Sequence, residues 1–258
     1  MFGEEIVDTL SHKYRVQRAT VLDALSQVLA GPVFQRATGA RFGEITADGV
    51  MVFGLRGAGL LGEPRRSLTR LLSYELERKL SDAATAAEYT EWKPVEGHLI
   101  MGRIDRVEKN GALQVVIERT GIFGETVSEI LAHCKKRYLP PHERKAPCLG
   151  KIRCFLVDRV MTIRQRTGTK TIAIQLSRTS GRMVTKLLRR ELAKRNEKAV
   201  VSCEKRVAGR VSYVKSNARI PVEVIHAVGK ELGERVKVEY IDPLIKITGK
   251  KGKNRYAR

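Results

Sequence analysis

One short stretch of this 258-residue chain gathers residues of the types that bind zinc: His133, Cys134, His142, Cys148 and Cys154. Zinc knuckles space their thiolates as Cys-x-x-Cys, whereas here His133 and Cys134 are adjacent and no such pair occurs. We therefore expect core cysteines and polar loop histidines, with no metal and no cofactor. The irregular spacing of the four cysteines in the chain fits reduced thiols in a cytoplasm.

Catalytic motifs are absent from the sequence. No Ser–His–Asp or Cys–His arrangement has a recognisable catalytic context, and there is neither a P-loop nor a dinucleotide fingerprint. Carboxylate pairs such as Glu4 and Glu5 fit solvated helix starts, where the helix dipole favours acids. We predict no catalytic residues and a protein that is not an enzyme.

The remaining side chains that could bind a ligand are the cations of lysine and arginine, which bind phosphate. The chain holds 49 Lys+Arg against 28 Asp+Glu, a net charge of +21. Residues 1–94 are neutral with 12 of each sign, residues 95–180 carry +8 and residues 181–258 carry +13. Because a surplus needed only for solubility would be spread evenly, we predict a polyanion partner for residues 95–258 and a protein partner for residues 1–94. The alternative is weak, non-specific binding of polyanions.

Length and composition indicate two domains or three small ones with packed cores. The chain is 42% hydrophobic, has no run of 18 apolar residues, and opens on MFGEEIVDTL, which lacks the basic and apolar regions of a signal peptide. We therefore expect neither a membrane span nor a secretory signal, and a cytoplasmic location.

In the first third, an apolar stripe from Val21 to Leu29 predicts an amphipathic helix that Gly31-Pro32 ends. Residues 41–46 and 50–55 predict a hairpin, and residues 65–89 a long helix that Pro94 stops. This part suits a docking module or a stabilising cap, and its pattern does not separate the two.

Beyond Val95 the periodicity is that of strands. Residues 98–107, 113–118, 150–159 and 171–177 predict strands, and residues 127–138 a loop or short helix; the pattern is typical of a small Greek-key barrel of about five strands.

After Gly181 the pattern predicts a compact α+β unit. A basic helix precedes strands at residues 199–203 and 210–214, a helix at 222–232 and a strand at 235–241. Residues 248–258 form a basic tail.

These segments carry a family resemblance. Residues 95–104 (VEGHLIMGRI), 109–111 (KNG), 150–153 (GKIR) and 176–179 (LSRT) resemble the S1 RNA-binding motif as it occurs in the NusA family of bacterial transcription factors. Residues 21–25 (VLDAL) and the long helix before Val95 are similar to the amino-terminal domain of that family. Residues 227–236 (AVGKELGERV) resemble the second helix and turn of its first K-homology (KH) domain. The order of these motifs is specific, since polynucleotide phosphorylase places KH before S1.

The resemblance implies a multidomain α+β protein: an α/β head (1–94), a five-stranded S1-type OB-fold barrel (95–180), a KH-like domain (181–247) and the basic tail (248–258). We also expect a monomer without cofactor or membrane partner. Its head would bind core RNA polymerase and its remaining domains nascent single-stranded RNA, influencing pausing, termination or antitermination. The alternatives are a general RNA-binding or ribosome-associated protein without polymerase contact, and an accessory of an RNA-processing enzyme.

The chain departs from the family pattern in three places. The GxxG loop with which KH domains clamp the nucleic-acid backbone is replaced by residues 219–222 (RIPV). We expect no second KH domain, because the GxxG at residues 249–252 is followed by too few residues to form the helix it would precede, and we assign it to the tail. The strand expected to carry base-stacking aromatics, residues 112–115, has none, which leaves Phe123. These departures suggest a shortened, specialised relative.

The expected RNA ligands are cations of the barrel, of the helix that follows it and of the degenerate KH loop. They are Lys135, Lys136, Arg137, Arg153, Arg164, Arg166, Lys170, Arg178, Lys186, Arg189, Arg190, Lys215 and Arg219.

Overall fold

The structure is a computed structural model that describes residues 2–46, 49–54, 57–60, 66–120, 126–145, 149–165 and 168–241. The chain divides into two compact units, one made of residues 1–94 and 161–172, the other of residues 95–160 and 173–258. The described residues form seven α-helices and three sheets, which confirms the predicted mixed α+β class.

Four helices build the core of the first unit. They are α1 (Phe2–Tyr14), α2 (Arg18–Leu29), α3 (Pro32–Thr38) and α4 (Arg66–Trp92). The stripe predicted on α2 is largely buried: Val21 is fully buried and packs with Val7 of α1 and Leu80 of α4. Leu22, which the prediction also placed on the stripe, points outward and is 51% exposed. The long helix predicted before Pro94 is confirmed as α4.

An antiparallel sheet completes the first unit, with strands β1 (Phe42–Thr46), β2 (Gly49–Gly54) and β3 (Gly57–Leu60). The predicted hairpin is confirmed, and it pairs Phe42 with Phe53. The third strand is not predicted from the sequence, because its four glycine-rich residues are all exposed and show no apolar alternation.

Residues 161–172 are the tip of a hairpin whose strands, β7 (Ile152–Arg164) and β8 (Lys170–Ser177), begin and end in the second unit. The tip contacts α4. Lys170 Nζ lies 3.0 Å from Asp82 Oδ2, and the buried Thr85 hydroxyl donates a hydrogen bond of 2.9 Å to the Lys170 carbonyl.

The second unit opens with a closed five-stranded barrel, as predicted. Strands β4 (Leu99–Val107), β5 (Leu113–Thr120) and β6 (Thr126–Cys134) join β7 and β8 in the order β4-β5-β6-β8-β7. The prediction of a loop or short helix at residues 127–138 is wrong, because most of it is β6, followed by a single 3₁₀ turn at Lys136–Tyr138. The short helix α5 (Pro141–Lys145) then leads towards β7.

An α+β layer follows the barrel in the predicted order of helix, strand, strand, helix and strand. Its elements are α6 (Gly181–Ala193), β9 (Val201–Val207), β10 (Val211–Ser216), α7 (Val222–Leu232) and β11 (Arg235–Tyr240). The sheet order is β11-β10-β9, with β10 antiparallel to β9 and parallel to β11. One sheet face packs on α6 and α7 through fully buried side chains such as Leu188, Val214 and Leu232.

Candidate nucleic-acid interface

Arg178, expected to bind RNA phosphate, is a buried structural residue. Its side chain is 1% exposed. Glu143 of α5 accepts from its Nη2 at 2.7 Å and from its Nε at 2.8 Å, and Glu231 of α7 accepts from its Nη1 at 3.1 Å. The carbonyls of Cys154 and Glu231 accept two further bonds. All five guanidinium donors face protein acceptors, so Arg178 joins α5, β7 and α7 and offers nothing to a phosphate.

Burial by itself would lower the pKa of Arg178, but the hydrogen bonds and charge of Glu143, followed by those of Glu231, outweigh it and raise the pKa. The guanidinium therefore stays charged inside the protein, and its two carboxylates compensate that charge. A second buried ion pair joins Arg206 and Glu234. The Glu234 side chain is fully buried and accepts hydrogen bonds from Arg206 at 2.9 Å and from the Gly209 amide at 2.8 Å.

Two other expected RNA ligands of the barrel lie in the first unit. Arg164 is exposed on the hairpin tip, and Lys170 is paired with Asp82 at 3.0 Å. Arg166, expected beside them, lies outside the described residues, as do Phe123 and the GxxG sequence at residues 249–252. Arg164 and Lys170 therefore belong to the first unit, and Lys170 is already paired with a carboxylate.

Among the side chains that the structure describes, the outward face of β4, β5 and β6 is not basic. The Arg103 guanidinium lies within 4.0 Å of three carboxylates, those of Asp105, Glu118 and Glu129. Arg106 donates its Nε proton to Gln114 on the neighbouring strand. Because Arg103 is already paired and three carboxylates lie around it, this part of the face disfavours a phosphate.

Among the other barrel cations, Lys135, Lys136 and Arg137 are exposed on the turn after β6, and Arg153 is half-buried on β7. The Arg137 guanidinium lies 4.8 Å from the centre of the Tyr138 ring and donates to its hydroxyl at 3.0 Å. This turn remains available to a backbone phosphate.

Helix α6 and the residues directly after it form a second positively charged segment of the second unit. Residues 181–198 hold seven Lys+Arg and two Glu. Five of its residues, among them Met183, Leu187 and Leu192, face the core, and Ser180 caps its first turn by accepting from the Arg182 amide. Because the apolar face is inward, the cations are directed to the remaining faces: Lys186 is half-buried, Arg189 is exposed, and Arg190 contacts Cys154 Sγ at 3.5 Å.

The end of α6 meets the loop between β10 and α7. A cavity of about 370 Å³ is lined by Arg189, Glu197, Lys198 and Asn217, together with apolar side chains of α6 and of residues 199–200. Arg219, two residues further along the loop, is exposed, and the Arg195 guanidinium reaches Glu223 at 3.4 Å. We call the set Arg189, Lys198, Asn217 and Arg219 the α6–loop surface. It combines three cations and an amide donor, the groups that bind phosphate oxygens.

Lys198 was not among the expected ligands. The sequence does carry a signal for it, since residues 194–198 (KRNEK) hold three cations in five positions directly after the helix. What the sequence does not show is that the loop at Asn217 lies beside them, which depends on the pairing of β9 with β10 and on the packing of α6.

Residues 219–222, which stand in the GxxG position, include apolar residues because part of this segment packs in the core. Ile220 is 2% exposed and belongs to the core, and Pro221, with φ −57°, precedes the first turn of α7. Lys215, expected to hold a phosphate beside it, is instead paired with Glu204 at 2.6 Å, and that hydrogen bond raises its pKa. Of the two cations expected to replace the loop, Lys215 is paired with a carboxylate, and Arg219 is exposed as a member of the α6–loop surface.

The cysteines and histidines do not converge in the described residues. No group of three or more His, Cys, Asp or Glu side chains there could hold a metal, and Cys148 lies outside the described part. Burial raises the pKa of the Cys134 thiol to about 12, and His133 is bonded to Glu108 at 3.0 Å. The thiol is therefore a buried apolar group rather than a nucleophile.

Comparison with protein-family models gives no match, and no curated protein matches the chain. No helix in the described ranges is both long and apolar enough to cross a membrane. Function is therefore inferred from charge, burial and the geometry of these surfaces.

Proposed function

We propose that this protein is a NusA-like transcription factor that links RNA polymerase to the nascent transcript. Residues 1–94 bind the core enzyme, and residues 95–258 bind single-stranded RNA through phosphate contacts. The observation that carries the proposal is the division of charge, because residues 1–94 are neutral and the whole surplus of +21 lies beyond them. The protein acts as a monomer in the bacterial cytoplasm, without a cofactor or catalytic step, on pausing, termination or antitermination.

The order of the folded parts supports this proposal. A closed five-stranded barrel followed by a helix–strand–strand–helix–strand layer is what an S1-type OB-fold and a KH-like domain would give. The RNA-binding role is assigned to the α6–loop surface and to the turn at residues 135–137, because the outward face of β4–β6 carries paired charges. Phosphate contacts of this kind bind RNA without reading its bases.

A surface of the first unit favours polymerase contact over the alternative of a general RNA-binding or ribosome-associated protein. Phe42 and Phe53 stack with ring centroids 4.7 Å apart, and the same sheet face carries Met51 paired with Leu60. Phe42 is 44% exposed and Leu60 59% exposed. We call these four residues the apolar sheet face. An exposed apolar cluster with a single described carboxylate beside it, Glu44, on a segment of zero net charge (residues 1–94) suits a protein partner, and a protein that binds only RNA has no use for it.

We expect Leu60→Asp to weaken binding of the full-length protein to core RNA polymerase at least tenfold. The substitution places a charge in the apolar sheet face, where docking would bury it unpaired, and each tenfold loss corresponds to about 1.4 kcal/mol. Leu149→Asp is the matched control, since Leu149 is 58% exposed and lies in the second unit. Surface-immobilised polymerase gives the readout. Equal binding by both variants and the unsubstituted protein would remove the apolar sheet face from the proposal.

RNA binding itself is expected to depend strongly on salt. If about six phosphates of a single strand are neutralised, log K should fall with log[salt] with a slope of roughly −4. Fluorescence anisotropy of the whole chain with a labelled oligonucleotide, titrated over a series of salt concentrations, measures the slope. An affinity independent of salt, or one confined to a single short sequence, contradicts a phosphate-based mode.

A further inference from the structure

The three-stranded sheet of the second unit, β11-β10-β9, has one face that no described helix covers. Its inner face holds Val214, Val236 and Val238 against α6 and α7. On the outer face, Tyr213 of the central strand is 40% exposed, and its pairing partners on the two flanking strands are Lys205 and Lys237. Residues paired directly across a sheet point to the same side, so the tyrosine ring stands between two lysines.

The two lysines are exposed, and Lys237 Nζ lies 5.8 Å from the centre of the Tyr213 ring. The strands of Lys205 and Lys237 flank β10, so the two cations lie on opposite sides of the Tyr213 ring. Each cation is therefore within reach of the phosphate of a nucleoside whose base lies on that ring. An aromatic ring beside lysines combines the two groups that bind single-stranded nucleic acid, a stacking platform and a backbone cation.

Carboxylates border the other end of this face. Lys215 pairs with Glu239 across the sheet and lies 2.6 Å from Glu204, and a depression of about 90 Å³ is lined by these three side chains together with Tyr213 and Lys237. A phosphate is repelled from this end, whereas amino groups on a base edge can donate to carboxylates. The charge pattern therefore orients a nucleotide, with its backbone towards the lysines and its base edge towards Glu204 and Glu239.

We propose that Tyr213, Lys205 and Lys237 form a nucleotide-binding site on the outer sheet face, where one base of single-stranded RNA stacks on Tyr213 and its amino group donates to Glu204 or Glu239. This inference rests on the proposed RNA-binding function and adds base selectivity to it. Adenine, cytosine and guanine carry an exocyclic amino group and uracil does not. The site therefore prefers an amino-bearing base to uridine, in contrast to the phosphate contacts of the α6–loop surface.

The test measures binding of the full chain to labelled oligoadenylate and oligouridylate of equal length by fluorescence anisotropy. Unsubstituted protein should bind oligoadenylate more tightly. Tyr213→Ala should weaken oligoadenylate binding roughly 5- to 150-fold, the range for losing one stacked base, and abolish the preference over oligouridylate. Tyr213→Phe keeps the ring and should retain affinity. Tyr240→Ala is the matched control, because Tyr240 is 54% exposed on the neighbouring strand and pairs with the fully buried Ser216, on the opposite face.

The outcomes separate this inference from the proposed function. Salt-dependent RNA binding that is equal for both oligonucleotides and unchanged in Tyr213→Ala would overturn the nucleotide site and leave the proposed function standing. If RNA binding were unchanged in Tyr213→Ala, but the unsubstituted protein were a dimer and the variant a monomer, the outer sheet face would bind a second copy of the chain. That outcome also overturns the nucleotide site. No binding of either oligonucleotide by unsubstituted protein would overturn both.

Discussion

Arg178→Met is expected to lower the free energy of unfolding of the second unit by about 3–5 kcal/mol, the cost of removing one partner from a buried charge network. The substitution leaves the carboxylates of Glu143 and Glu231 without the guanidinium that they share, and it frees the carbonyl acceptors beside them. Urea unfolding followed by circular dichroism provides the measurement. Arg182→Met is the control, because Arg182 is exposed in the first turn of α6, four residues after Arg178, and it should change stability by less than about 0.5 kcal/mol.

A combined variant separates lost charge balance from lost packing. Adding Glu143→Gln and Glu231→Gln to Arg178→Met removes the uncompensated carboxylates, so part of the lost stability should return. If Arg178→Met were as stable as the unsubstituted protein but bound RNA less tightly, Arg178 would be a phosphate ligand, as expected from the sequence, and the structural role assigned to it would be wrong.

The second large effect concerns RNA affinity. Arg189→Glu combined with Lys198→Glu should weaken binding of a single-stranded RNA by about 2–4 kcal/mol, because two charge-assisted contacts on the α6–loop surface are lost and two repulsive charges take their place. The salt slope should also become shallower by about 1.4, the contribution of two phosphates on a single strand.

The matched control for this variant is Arg66→Glu with Arg70→Glu. Both residues are exposed on α4 of the first unit, and the change in net charge is the same. If RNA binding depended only on total charge, both double variants would weaken it equally. That result would leave the α6–loop surface without a specific role and would favour the alternative of diffuse, non-specific polyanion binding.

Elements with strong local signals were predictable from the sequence. Helix α7 has the bounds that the sequence predicts, Val222–Leu232, because its apolar residues Val224, Ile225 and Val228 follow the helical period. Gly233 adopts a φ of 62°, which glycine tolerates best. Strand β6 was missed because adjacent apolar residues hide its alternation: Leu131 is 50% exposed, whereas its neighbour Ala132 is fully buried.

The site was less predictable because its residues converge through tertiary structure. Arg178 is 35 positions from Glu143 and 53 positions from Glu231, and no local sequence pattern predicts a pairing over such separations. Lys170 and Asp82 are 88 positions apart, and they place part of the expected barrel surface in the first unit. Charge counted along the chain predicts a polyanion partner for residues 95–258, but it does not indicate which cations are already paired.

The measurement that tests the central proposal most directly is binding of the full-length chain to reconstituted RNA polymerase, with and without a transcript emerging from the enzyme. We expect binding to core polymerase without RNA, tighter binding once single-stranded RNA emerges, and loss of only that increase in Arg189→Glu with Lys198→Glu. Binding to the free transcript with no affinity for polymerase would contradict the proposal and establish the alternative of an RNA-binding protein that acts without the polymerase.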